Sequence, residues 1–439
     1  MNSKDFVWHP YTQMNEWKKF DVITKGNGMW LVDSEGNKLL DGVASMWCNV
    51  WGHSKKELVN AMIKQTKKLQ HSSLFNLTND QAELLAEKLV RISPGMSKVF
   101  YSDDGSTAME IAIKMAIQYW QNIGHKNKIK FVTLENGYHG DTVGAMSIGY
   151  VPTFFSKFKN ILFPVIKTPT PHKYRMPETF MFKEYQEHCL EKIEKIFVKN
   201  KDLAAFVMES GAQVAGGVII YPPEFQKKIS QLCKKYDVLF ILDEIATGFG
   251  RLGSFIEYHT QKSIPDIVTY GKMLTGGYLP LAVTLTNQKI YDSYLGNYKE
   301  MKHFFHGHTF TGNPLACATA ITNLELYDKN HLISKNKIKS KQFEKRINEI
   351  SNLSIVGDVR HKGMLMAIEL VSNKNKKTPI NPDKKIHQKI FLEAKKHKIY
   401  LRTLGHIIML VPPLAISEKE LDFLLDGTMD TIKKVTKDV

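Results

Sequence analysis

Apolar residues in the middle of the chain come in short runs rather than long amphipathic stripes. Residues 131–134, 204–208, 238–242, 267–270 and 281–285 are such runs, rich in β-branched and aromatic side chains. They predict strands buried on both faces. Between them the period changes. Residues 107–123 place Ala108, Ile111, Ala112, Met115 and Tyr119 on one helical stripe, and residues 223–236 are a second helical stretch. Strands alternating with helices predict βαβ units around a mostly parallel sheet. From about residue 325 the pattern becomes a charged helix, short strands at 364–371 and 407–411, and a final amphipathic helix. That is the pattern of a smaller α+β domain. The first 60 residues, with LVDSEGNKLLDG as a hairpin, are expected to join it. The expected division is therefore 1–60 in the small domain, 61–324 as a large α/β domain, and 325–439 completing the small one.

At 439 residues, 43% hydrophobic and 24% charged, the chain has the composition of an ordinary globular protein with room for a large core. No apolar run approaches the ~18–20 residues needed to span a bilayer. The N-terminal MNSKDFVWHPYTQM has no apolar segment of the kind a secretion signal carries. Four scattered cysteines, Cys48, Cys189, Cys233 and Cys317, form no metal-ligand spacing and fit reduced thiols in a cytoplasmic protein. The net charge of +16 raises nucleic-acid binding as a possibility. However, the lysines are spread along the chain without a recognition motif or a basic–aromatic platform. They read as a solvated surface. Only six of the 60 basic residues are arginine, so an arginine marks a place where the planar fork was needed.

Five segments carry candidate chemistry. In VLFILDEIATGFG (238–250) an apolar strand ends at Asp243, where open α/β sheets bind ligands. An acid there serves as a helix cap or a salt-bridge partner, or holds a ring nitrogen protonated. In IVTYGKMLTGG (267–277) a second strand ends at Lys272. A lysine at a strand end is ordinarily solvated, but one paired with an acid in a crevice becomes a nucleophile as burial lowers its pKa. In SDDGSTAME (102–110), Gly105 and Ser106 open a helix and offer an anion site, or simply an N-cap. In ENGYHGD (135–141), Tyr138 between glycines suits either a packed turn or the face of a planar ring. In HGHTFTGNP (306–314), Thr309 suits a phosphate contact. His303, His306 and His308 lack the companions a metal site needs, so no metal is expected.

Taken in order, the DE-x-x-TGFGR loop, the strand-end GK and the HTF threonine resemble the class III, fold-type I, pyridoxal-5′-phosphate-dependent aminotransferases over nearly the whole chain. The resemblance implies a large domain with a mostly parallel seven-stranded sheet, a smaller α+β domain and a homodimer with active sites at the subunit interface. It implies Lys272 as the Schiff-base lysine, Asp243 on the pyridine nitrogen and Tyr138 stacked on the ring. Gly105, Ser106, His308 and Thr309 would bind cofactor, with Thr309 reaching in from the partner subunit, and Glu209 would stand just behind. WHPYTQM, GYHGDTVGAMS and DEIATGFGR are similar to the branch that aminates 8-amino-7-oxononanoate in biotin synthesis. This implies Tyr11, Met46, Trp47, Tyr138, Lys272 and Gly307 around the substrate, Arg402 on its distant carboxylate, and an Asp141–Arg251 pair fixing the Tyr138 loop. Met46 stands where many members have a second Trp, His308 and Thr403 where they have Pro, and Trp51 where His is frequent. These departures bear on the amino donor. S-adenosylmethionine is the expectation, with Trp47, Trp51 and Tyr138 as aromatic walls, and L-lysine is the alternative. A different ω-aminotransferase, a non-catalytic cofactor binder and a nucleic-acid binder are the remaining readings.

Overall fold

The computed structural model describes residues 6–149 and 151–438. The first five residues of the N-terminal segment therefore lie outside it, as do the outermost ends of the expected domain limits. The apolar runs form the centre of the molecule. Seven strands, β1 (Lys98–Ser102), β2 (Lys130–Leu134), β3 (Ile166–Thr168), β4 (Leu203–Glu209), β5 (Leu239–Asp243), β6 (Ile267–Tyr270) and β7 (Ala282–Thr286), lie in the order β1-β7-β6-β5-β4-β2-β3. Four neighbouring pairs from β6 to β3 are parallel, and β7 runs antiparallel to both its neighbours. Every residue of β4, β5, β6 and β7 is buried, as continuous apolar runs require. Full burial of each aliphatic or aromatic side chain is worth about 1.5–3 kcal/mol, so the central strands hold the sheet together.

Helix α1 (Gly105–Asn122) covers one face of the sheet. The same stripe that was read from the sequence is buried, including Ala108, Ile111, Ala112, Met115 and Tyr119. Asp104 caps it in a reciprocal box with Thr107. The helix start at Gly105 lies against Ile245 and Gly271, just past the carboxyl ends of β5 and β6.

The hairpin of Trp30–Asp33 with Lys38–Asp41 forms as expected, and Ile399–Tyr400 adds to it in parallel. Segments from both ends of the chain thus share one sheet. A second sheet holds β8 (Val356–Lys362), β9 (Leu365–Asn373), β10 (Arg402–Leu404) and β11 (Ile407–Leu410) in the order β8-β9-β11-β10. The limits expected at 60/61 and 324/325 fall inside the helices Lys56–Lys68 and Pro314–Lys329. Among the described residues, no helix is long and apolar enough to cross a membrane.

Candidate active site

Asp243 and Lys272 reach one place because β5 and β6 are adjacent and parallel, and each residue lies at or just past its strand's carboxyl end. Between them and the start of α1 opens a cavity of about 690 Å³. Lys272, Asp243, Tyr138, Gly105 and Ser106 line it. Met46 and Trp47 form another part of its wall. Lys272 adopts φ +43°, a left-handed conformation that costs a non-glycine residue about 1–3 kcal/mol and clusters at functional sites. Ala44, Ser45 and Trp47 share that feature, held by Asp41, which accepts from the Val43 and Ser45 amides at 3.1 and 2.8 Å.

The Lys272 amine makes no ion pair with any described residue, and its Nζ stands 5.6 Å from the centre of the Trp47 ring. Burial lowers its pKa, against the opposing charges of Asp243 and Glu209. Asp243 is nearly fully buried and its carboxylate is fixed: Oδ1 accepts from the Ile245 amide at 2.9 Å and Oδ2 lies 2.8 Å from His139 Nδ1. Glu209, level with Asp243 on the neighbouring strand, accepts from the amides of Tyr138 (3.2 Å) and Val214 (2.7 Å). Burial pushes its carboxyl up to about 7.

The loop between β2 and helix α2 (Val143–Gly149) is anchored to α1. Ser106 Oγ accepts from the Thr142 amide at 3.0 Å, and Glu110 Oε1 accepts from Thr142 Oγ1 (2.5 Å) and from the amides of Gly144 (2.6 Å) and Ala145 (3.1 Å). Gly140, at φ +128°, has no room for a Cβ against Ser106, and a Cβ on Gly105 would stand 2.7 Å from Ile245. Backbone therefore approaches closely around the helix start, a cradle suited to a phosphate.

Tyr11 and Tyr138 both donate to Asp141 Oδ1, at 2.5 and 3.0 Å. Burial and this shared carboxylate push Tyr11 up to about 12. Tyr11 does not itself line the cavity, but this bond ties it to two residues that do. Arg402 Nη1 lies 2.7 Å from Met46 Sδ, which places the guanidinium beside the cavity wall.

Two expectations need correction. Asp141 does not pair with Arg251. Arg251 is 1% exposed and donates from Nη1 to the carbonyls of Met364 (2.9 Å) and Pro412 (2.8 Å), while Asp141 is occupied by the two tyrosines. Trp51 is no cavity wall: it is buried, its indole donates to Asn323 Oδ1 at 2.8 Å and its ring meets Tyr327 edge-on. Gly307, His308 and Thr309 do not line the cavity within this chain. Gly307 and Thr309 lie exposed, Gly307 against Phe75, and His308 Nδ1 is 3.1 Å from Asp103 Oδ2 at the cavity edge. His139 and Glu110 were not singled out from the sequence. A lone histidine in GYHGD carries no periodic signal, and only the order of β2, β4 and β5 brings it to Asp243. Among the described residues, no cluster of His, Cys, Asp and Glu could hold a metal ion.

Known proteins share this scaffold. The family described as aminotransferase class-III matches residues 11–432. A relative from Geobacter sulfurreducens named adenosylmethionine-8-amino-7-oxononanoate aminotransferase is 44% identical, over 98% of this chain and 96% of its own. A relative of the same name from Staphylococcus aureus is 44% identical, over 95% and 93%. The crystal structure of the Methanocaldococcus jannaschii protein of that name superposes with a TM-score of 0.92 at 42% identity, covering 98% of both chains. An amine transaminase from an uncultivated Pseudomonas species, in its PLP-bound internal aldimine form, reaches 0.94 at 30% identity over 99% and 100%. With the match running through the whole central sheet and both ends of the cavity, the chain belongs to the class III aminotransferase family.

Proposed function

We propose that this protein transfers an amino group to 8-amino-7-oxononanoate, giving 7,8-diaminononanoate, with S-adenosylmethionine as donor. The observation that carries the reading is the pairing, in one cavity, of a half-buried lysine without an ion-pair partner and a fixed buried acid, with Arg402 beside the wall. The name of the relatives at 42–44% identity supports the substrate.

The residues present fit pyridoxal 5′-phosphate, the cofactor of the family. Gly105 and Ser106 amides at the α1 start would take its phosphate, with His308 beside it, Tyr138 its ring face, Asp243 its ring nitrogen and Lys272 its aldehyde carbon, with Thr309 supplied by a second subunit. When bound, the cofactor supplies a carbonyl that accepts the amino group and an electron sink for the C–H bond that breaks. Lys272 Nζ, kept less basic by burial, would hold the cofactor and, when free, would be the base that moves the proton. Asp243, oriented by His139 and the Ile245 amide, would keep a proton on the ring nitrogen of the bound cofactor. Tyr11, Tyr138, Met46, Trp47 and Gly307 would surround the substrate, and Arg402 would grip its carboxylate through two hydrogen bonds.

A homodimer is part of the proposal. Phe75, Phe305 and Phe310 are each more than half exposed around the Gly307–Thr309 loop, an apolar surface that a second copy would cover. The free cysteines Cys48, Cys189, Cys233 and Cys317 support a cytoplasmic location.

L-lysine as donor is the second reading, favoured by one observation. With Trp51 packed away and Met46 against Arg402, only Trp47 and Tyr138 of the three expected aromatic walls line the cavity. The test adds each donor separately to cofactor-loaded protein and follows the visible absorbance. Bleaching by S-adenosylmethionine, with colour restored by 8-amino-7-oxononanoate, is expected. Bleaching by lysine alone would move the donor to the second reading, and no recovery of colour with 8-amino-7-oxononanoate would refute the substrate.

A further inference from the structure

We infer that Arg360 is a positioning residue for the substrate cavity: aimed by Glu369, it holds the turn 214–217 that forms part of the cavity's apolar wall. The inference rests on the reading that a long apolar acid lies between Lys272 and Arg402. Val214 and Ala215 line the cavity. From inside, the Val214 amide is fixed by Glu209 at 2.7 Å. From outside, Arg360 donates to the Gly217 carbonyl through both Nε (3.1 Å) and Nη2 (2.7 Å). Its remaining Nη1 is held by Glu369 Oε2 at 2.6 Å and Asp358 Oδ2 at 2.7 Å. The guanidinium is thus committed on three sides, a geometry an ammonium cannot reproduce.

Glu369 joins more than this turn. Arg175 Nε donates to its Oε1 at 2.8 Å, and His406 Nε2 lies 3.6 Å from the same oxygen. Burial alone would raise its carboxyl, but His406 and the two guanidiniums hold it well below the usual carboxylate range. His406 sits in the turn between β10 and β11, and β10 begins at Arg402. One buried carboxylate therefore connects the apolar wall to the hairpin carrying the proposed carboxylate clamp. The inner sides of both meet in a single apolar cluster with Trp47, Val214, Ala215 and Met409, against which Leu404 and Ile407 pack. The chain spends two of its six arginines on Glu369, and the return is a fixed distance between wall and clamp.

The experiment measures calorimetric affinity of cofactor-loaded protein for straight-chain monocarboxylates from pentanoate to nonanoate, in wild type, Arg360→Lys and Glu369→Gln. In the wild type each added methylene should tighten binding about threefold to fourfold, the burial free energy of one CH₂. In both variants the increment should fall below about twofold, while cofactor absorbance confirms a loaded, folded protein. The Glu369 variant keeps Arg360 and removes the carboxylate that aims it, so, with loading confirmed by its absorbance, it decides the matter if the lysine variant does not fold. Variants with the wild-type increment would overturn the inference and leave the proposed function standing. A wild type with no chain-length increment would overturn the long-acid reading itself and the inference with it.

Discussion

Burial makes the Lys272 amine less basic while Asp243 works against that shift, and the residue holds a backbone conformation it would not choose in a flexible chain. The sequence made it legible through one unusual placement, a lysine just past the end of a fully buried strand. Asp243 was legible for the same reason. His139 was not, because the contact that gives it meaning crosses 104 residues of chain. The Asp141–Arg251 pair failed for a physical reason too: Arg251 is taken by the Met364 and Pro412 carbonyls, which no local pattern reveals. Borohydride treatment of cofactor-loaded protein should fix the cofactor to the peptide containing Lys272, and Lys272→Ala should show no such adduct and no amino transfer. A label on another lysine, read by peptide mass spectrometry, would contradict the assignment. Arg402→Ala should weaken binding of 8-amino-7-oxononanoate by about 2–4 kcal/mol, the loss of a charge-assisted bidentate contact with the carboxylate left unpaired. Its bleaching rate with an amine donor lacking a carboxylate should be unchanged. Equal affinity in mutant and wild type would remove Arg402 from the site.

Strands of the central sheet were readable where both faces are buried, since β2, β4, β5, β6 and β7 are built on apolar runs interrupted only by threonines and by Lys130, Glu209 and Asp243 at strand ends. The two edge strands were not. β1 is only half-buried over its first three residues, and β3 is the three-residue segment IKT, too short and too polar for a strand signal. In the smaller sheet, the β8–β9 pair carries the Arg360–Glu369 contact. Glu369 has a lower pKa folded than unfolded, so its stabilising contribution is present above the ordinary carboxylate value near 4.5 and is lost as the pH falls below it toward the depressed native value. Glu369→Gln should lower stability at neutral pH by about 1.5–3 kcal/mol, the loss of charge-assisted hydrogen bonds, since Arg360 keeps Asp358 and Arg175 is partly exposed. The mutant's melting temperature should then fall less steeply than the wild type's on acidification below that value. Parallel acid profiles for the two proteins would show that Glu369 is not held as described.

At the scale of the molecule, the alternation of strands and helices was enough to predict an α/β domain, and the change of texture after residue 325 a second unit. The chain does not change element there, because the helix Pro314–Lys329 runs through the expected limit. On the proposed reading a second copy supplies the rest of the site. Gly307 and Thr309 sit exposed on a loop bordered by Phe75 and Phe310, and the proposed homodimer completes the cavity with them. Light scattering should therefore give twice the 50.2 kDa of the chain, and a monomer at assay concentration would contradict that arrangement. The account as a whole stands on transfer of a donor's nitrogen to a ketone carbon. The most direct measurement supplies S-adenosylmethionine carrying ¹⁵N in its amino group, with pyridoxal phosphate and 8-amino-7-oxononanoate, and examines the product by mass spectrometry. The prediction is 7,8-diaminononanoate with the label on the nitrogen at C7. Absence of that product with either this donor or ¹⁵N-labelled L-lysine would contradict the proposed function.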